Sequence, residues 1–128
     1  MITGIGVDAA DIERSLKLSR RAVEKIFHPD ELKQLEEIEI SSPLLKGQFL
    51  ASRFAVKEAY AKARGTGFCE IVVPSEICTC KDEKGRPFIK LYGKTAENAR
   101  PCNINLSITH QMPLAVAFVV LEAPDVQK

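Results

Sequence analysis

Residues 48–67 read QFLASRFAVKEAYAKARGTG, and this stretch decides the architecture. Alanines at 51, 55, 59, 61 and 63 are mixed with long side chains, and neither glycine nor proline intervenes before Gly65. That composition has high helix propensity. Gly65 supplies the C-terminal stop, and Thr66-Gly67 takes the chain out of the helix. Phe54, Glu58 and Lys62 are spaced by four, so an aromatic ring, a carboxylate and an ammonium stack on one helical face. The ordinary meaning of such a face is an exposed i,i+4 ion pair, worth about 0.2–0.5 kcal/mol. Arg53 and Lys57 project from other faces.

Upstream, Ile2 to Val7 reads as a short strand, with Ile5 and Val7 on one side and Gly4, Gly6 and Asp8 on the other. The G-I-G lacks the third glycine and preceding βα unit of a dinucleotide fingerprint. Its glycines instead suit the close approach of another backbone or a ligand. Asp8 stands at the end of that strand. Asp11 to Phe27 has an interrupted helical pattern, on which Arg14, Lys17, Arg21 and Lys25 form one basic stripe. His28-Pro29-Asp30-Glu31 starts a second helix, with His28 as a capping or packing residue, and Ser41-Ser42-Pro43 ends it.

Downstream, Phe68 to Pro74 reads as a loop with some extended structure, and Glu76 to Lys81 as a strand. A turn over Asp82-Glu83-Lys84-Gly85 folds Pro87 to Tyr92 back as a hairpin. Lys94 to Arg100 is a short helix. Asn103 to Ile108 alternates as a strand does, and Thr109 to Pro113 forms a tight turn carrying His110. Leu114 to Leu121 is a near-continuous apolar run, the mark of a central or interface strand. Residues from Pro124 read as a frayed tail. This order gives an α+β fold: an antiparallel sheet packed against one long central helix.

The 128 residues suit a single domain, 1–128, with one core. A formal charge of +1 gives no global field for nucleic acid or an anionic membrane. Cys69, Cys78, Cys80 and Cys102 lack the paired spacing of a zinc site and read as buried reduced thiols, which favours the cytoplasm. The N-terminus does not read as a signal peptide, and no apolar segment approaches the roughly 20 residues of a membrane span.

Three polar points remain: Asp8, Glu58 and His110. Carboxylates on separate elements pair across a core when a cation neutralises them, and Mg2+ is commonly held by one or two carboxylates, waters and substrate phosphates. Lys62, one turn from Glu58, could then meet a phosphate. The spacing suggests a Mg-phosphate site and leaves the solvated ion pair open beside it.

GIGVD at residues 4–8, FAVKEAYAKARGTG at 54–67, GRP at 85–87 and SITH at 107–110 resemble, in order and register, the signatures of holo-acyl-carrier-protein synthases. These are the small bacterial 4'-phosphopantetheinyl transferases, and the resemblance covers nearly the whole chain apart from residues 17–45 and the tail. It implies that Asp8 and Glu58 bind Mg2+ together with the pyrophosphate of coenzyme A. Lys62 and Gly65 would contact those phosphates. Arg53 and His110 would sit near the 3'-phosphate, Gly85-Arg86-Pro87 against the adenine, and Phe54 in the lining of the site. The chain departs from the family at Gln111, where Thr or Ser usually follows the histidine; a Gln amide can still donate. Cys78-Thr79-Cys80 also replaces a more usual charged or β-branched strand.

The implied reaction is transfer of 4'-phosphopantetheine from coenzyme A to a serine of apo acyl carrier protein, with 3',5'-ADP leaving. Glu58, or a metal-bound water activated by a carboxylate, would take the serine proton. Because acyl carrier proteins are acidic, Arg14 and Arg21 in the basic stripe become partner-binding candidates. The resemblance further implies a homotrimer with active sites at subunit boundaries, Asp8 and Glu58 from one subunit facing His110 of the next. The apolar run Leu114 to Leu121 fits subunits packing through that strand. Two other readings stay open: a metal-dependent phosphate-ester hydrolase and a non-catalytic coenzyme A or nucleotide-binding module.

Overall fold

The computed structural model describes residues 1–40 and 42–125, without the side chain of Glu39. Its elements run β1 (Ile2–Asp11), α1 (Ile12–Leu16), α2 (Arg20–Ile26), α3 (Pro29–Glu39), α4 (Pro43–Arg64), β2 (Ile77–Lys81), β3 (Pro87–Leu91), α5 (Gly93–Glu97), β4 (Asn103–Gln111) and β5 (Leu114–Glu122). An antiparallel sheet of order β1-β5-β4 lies against α4, and β2-β3 forms a separate hairpin. This is the expected α+β arrangement around one long helix.

Ser42 caps α4, its hydroxyl accepting from the Leu45 N–H, and Pro43 occupies the first turn. The helix therefore begins five residues before Gln48: the Ser-Pro pair read as a stop is also a start signal. Ser41, part of that stop, lies outside the described residues, as does the tail beyond residue 125. At the other end Gly65 adopts φ 81°, the left-handed cap that lacks a Cβ penalty.

Small residues set the spacing between helix and sheet. Ala51, Ala55, Ala59 and Ala63 of α4 pack in one core with Ala115, Ala117, Val119 and Leu121 of β5. Beneath the helix, a Cβ at Gly6 would overlap the Ala59 carbonyl oxygen, and one at Gly4 that of Ala63. The two glycines are thus the close-approach positions expected from sequence.

Four expectations need correction. Pairing with β5 carries β1 through to Asp11, so Asp8 sits inside the strand, opposite Ala117, and not at its end. His110 lies in β4 opposite Ala115; only Met112 and Pro113 form the turn, because the β5 ladder extends to Gln111 and Leu114. The basic stripe is split. Lys17 ends α1 and Ser19 caps α2 by accepting from the Ala22 N–H, so Arg14 and Arg21 belong to different helices. Of the four cysteines only Cys78 is fully buried, its thiol pushed up to about 12 mainly by burial, while Cys69 is exposed.

Leu114–Glu122 is the central strand, so its inner face is covered by α4 within the chain. Its edges are already paired with β1 and β4, which removes the argument for subunits packing through an open strand edge. The outer sheet face is another matter. Ile5 (56% exposed), Val7 (52%), Leu114 (40%) and Phe118 (42%) lie on the two adjacent strands, and Val7 pairs directly with Phe118.

Candidate active site

Asp8 is held on the α4 side of β1, on the same face as Gly4 and Gly6. Its carboxylate lies 3.0 Å from the Lys62 ammonium, with side chains 19% and 52% exposed. The same Nζ donates to the Val7 carbonyl at 3.0 Å. Lys62 thus bonds across elements to β1, a use the i,i+4 pattern with Glu58 did not predict. Burial pushes the Glu58 carboxyl above the usual carboxylate range, the Asp8 carboxylate adds to the rise, and Lys62 opposes it. Asp8 and Glu58 therefore share one electrostatic environment. Two neighbouring carboxylates form an all-oxygen donor set, which fits a hard divalent cation such as Mg2+.

Phe54 lies one turn before Glu58 and meets Phe68 edge-on, with centroids 6.5 Å apart. It also lines a groove of about 340 Å³ that runs beside Asp11, Arg14, Leu18 and Leu114. Arg14 on α1 borders this groove, and Arg21 is exposed on α2.

Arg53 stands on the opposite side of α4. Its guanidinium lies 4.7 Å from the Phe49 ring centroid and donates to Ser52 Oγ at 3.1 Å. Its buried Nε has no hydrogen-bond partner among the described residues, a donor left for an anion. Arg53, His110 and Lys81 line one cleft of about 590 Å³. Lys81 also borders the hollow beside the β2-β3 turn, where Lys84, Arg86 and Phe88 lie. Gly85 sits in that turn and Pro87 opens β3. Gln111 pairs with Leu114 at the end of β4.

The predicted residues thus fall into two groups within the chain. Asp8, Glu58 and Lys62 come together, with Gly65 capping the same helix. Arg53 and His110 come together elsewhere, near the hairpin. Asp8 and His110 lie on opposite outer strands, with β5 between them.

Sequence reasoning missed the buried pair beside this site. Lys57 and Glu31 are both 0% exposed, with Nζ 2.6 Å from Oε1. Lys57 also donates to the Pro74 carbonyl at 3.0 Å and the Ile77 carbonyl at 2.5 Å. Glu31 accepts from the His28 N–H at 3.0 Å and the Thr79 N–H at 3.3 Å. Burial lowers the Lys57 pKa and Glu31 opposes the fall. The available signal was a lysine among Ala55, Val56, Ala59 and Tyr60, on a helix buried nearly all round.

A family model described as the 4'-phosphopantetheinyl transferase superfamily matches residues 4–118. The chain is 39% identical to a holo-[acyl-carrier-protein] synthase from Desulfovibrio desulfuricans, over 96% of this chain and 99% of that protein. Its fold is similar to a crystal structure of a holo-(acyl-carrier-protein) synthase from Bacillus anthracis in complex with CoA (3',5'-ADP). The TM-score there is 0.83 and the identity 35%, covering 97% of this chain and 99% of that one. The corresponding synthase from Neisseria meningitidis gives a TM-score of 0.81 at 30% identity, covering 95% and 99%.

Proposed function

The chain belongs to the 4'-phosphopantetheinyl transferase superfamily, and from that premise we propose that it transfers 4'-phosphopantetheine from coenzyme A to a serine of apo acyl carrier protein, releasing 3',5'-ADP. As a phosphopantetheinyl transferase it uses residues 1–128 as one domain, acting in the cytoplasm. The observation that carries the reading is the convergence of Asp8, Glu58 and Lys62 across β1 and α4.

Asp8 and Glu58 would hold Mg2+, which supplies charge neutralisation at the coenzyme A pyrophosphate. Lys62 is placed to shift from Asp8 onto a phosphate oxygen, and Gly65 leaves the helix end open to the same phosphates. Glu58, with its raised proton affinity, accepts the serine proton. The groove lined by Phe54 and Arg14 suits an apolar body beside a cation and leads toward the carrier protein, which Arg14 and Arg21 attract.

Arg53, with its free Nε, and His110 bind the 3'-phosphate; Gln111 donates beside them, and Gly85-Arg86-Pro87 covers the adenine. Because these residues stand apart from Asp8 within one chain, the reading requires a neighbouring subunit. A homotrimer packed through the apolar outer sheet face meets that need: Ile5, Val7, Leu114 and Phe118 would be covered and the site would span a boundary.

Mass spectrometry of apo acyl carrier protein incubated with the protein, Mg2+ and coenzyme A tests the proposal. The carrier gains a phosphopantetheine mass only when all components are present. Hydrolysis of coenzyme A without a carrier adduct would favour the phosphate-ester hydrolase, and binding without turnover the non-catalytic module.

A further inference from the structure

Past the last turns of α4 lies a cleft of about 640 Å³ that has no part in the proposed reaction. It opens on the other side of the helix from the carboxylate pair: at 3.6 residues per turn, Tyr60 and Arg64 lie about 200° and 240° round from Glu58. Its size falls within the roughly 300–1,000 Å³ of small-molecule sites. Ala63, Ile71, Pro101 and Leu121 give it an apolar floor, while Arg64 and Arg100 supply its charge.

Arg64 is fixed but, among the described residues, not neutralised. Its guanidinium lies 5.8 Å from the Tyr60 ring centroid. Nη1 donates to the Tyr60 hydroxyl at 3.0 Å, and Nη2 to the Asn98 carbonyl at 3.2 Å. All these partners are uncharged, and no carboxylate lines the cleft among the described residues. The C-terminal end of α4 opposes an anion with about half an elementary charge, against two whole positive charges on the guanidiniums. Thr3 and Thr66 also line it, their hydroxyls donating to the Leu121 and Gly67 carbonyls, which leaves the guanidiniums as its charged donors. A preorganised guanidinium fork matches a carboxylate or a phosphate, and the floor matches a short hydrocarbon body.

We propose that this cleft is a second ligand site, taking an organic anion with a carboxylate or phosphate head and a short apolar body. The assignment does not depend on the transfer reaction. It is tested by NMR titration of the folded protein with hexanoate, monohexyl phosphate, acetate and hexanol, following backbone amides. Hexanoate or monohexyl phosphate should shift Thr66, Asn98 and Cys102 saturably, with a Kd of about 1 mM or tighter. The tighter of the two identifies the head group. Acetate, lacking the body, and hexanol, lacking the charge, should bind at least about tenfold more weakly. Arg100→Gln removes an exposed charge and should weaken binding about tenfold while leaving coenzyme A turnover unchanged. Arg64→Gln should do more; if it unfolds, Arg100→Glu supplies the second variant. Saturation by hexanol as tight as by hexanoate, shifts confined to Lys62 and Gly65, or indifference to Arg100→Gln would overturn the assignment.

Discussion

Lys62 Nζ stands 3.0 Å from Asp8 Oδ1, joining α4 to a strand residue fifty-four positions earlier in the chain. A half-exposed pair of this kind is worth about 0–1 kcal/mol, too little to explain the arrangement by stability. Its effect is to hold an ammonium over two mutually repelling carboxylates. Removing either carboxylate should therefore spare the fold and destroy the chemistry. Asp8→Ala and Glu58→Ala should abolish transfer with circular dichroism unchanged, and EDTA should reproduce the loss in the wild type. Full turnover by either variant in metal-free buffer would refute the metal assignment.

The raised Glu58 pKa makes a prediction of its own. The folded chain holds that proton more tightly than the unfolded chain. Its stabilising contribution is thus present below the unfolded glutamate pKa and is lost as pH rises through the folded value. Glu58→Gln, which cannot ionise, should raise Tm in chelator near neutral pH, with the gain shrinking toward acid. A lower Tm for the variant at pH 7 would contradict the sign.

For the buried pair, Lys57→Met or Glu31→Gln alone should cost about 3–5 kcal/mol, since each strands a group that is 0% exposed. The double variant should lose less than the sum of the two. Urea unfolding measures this coupling, and simple additivity would show that the two charges do not depend on each other.

The cations of α1 and α2 should act on one substrate only. Combining Arg14→Glu with Arg21→Glu should raise KM for carrier protein and leave KM for coenzyme A nearly unchanged. Added salt should weaken the wild type in the same direction, because exposed charges are screened over about 10 Å at 0.1 M. Equal effects on both substrates would assign these residues another role.

A boundary-spanning site predicts complementation. Asp8→Ala and His110→Ala should each be inactive, yet co-refolding them should restore part of the activity. In mixed trimers some boundaries carry both substitutions and others carry neither. A mixture confirmed as oligomeric but still inactive would rule out the shared site.

Much of the frame was legible because local chemistry and tertiary pairing agreed. Gly65 ended α4 as its composition required, and Asp82 closed the hairpin turn by accepting from the Lys84 and Arg86 N–H groups. Legibility failed where a distant partner decided the outcome. Thr109 to Pro113 has the residues of a turn, yet pairing with β5 holds Thr109, His110 and Gln111 in a strand. Asp8 was recognised as a candidate, but the strand's extent depended on the same β5. Lys57 and Glu31 carried no local sign of meeting, because their contact exists only when α3, α4 and β2 are assembled.

The glycine-set closeness of β1 and α4 has a kinetic consequence. Asp8 and Glu58 ride on two packed elements with Ala59 pressed against Gly6, so no hinge lies between them. They can move apart only if the sheet leaves the helix. If the proposed metal assignment holds, cation capture at this pair should need no closing motion: its rate would be set by shedding of hydration water and by departure of the Lys62 ammonium.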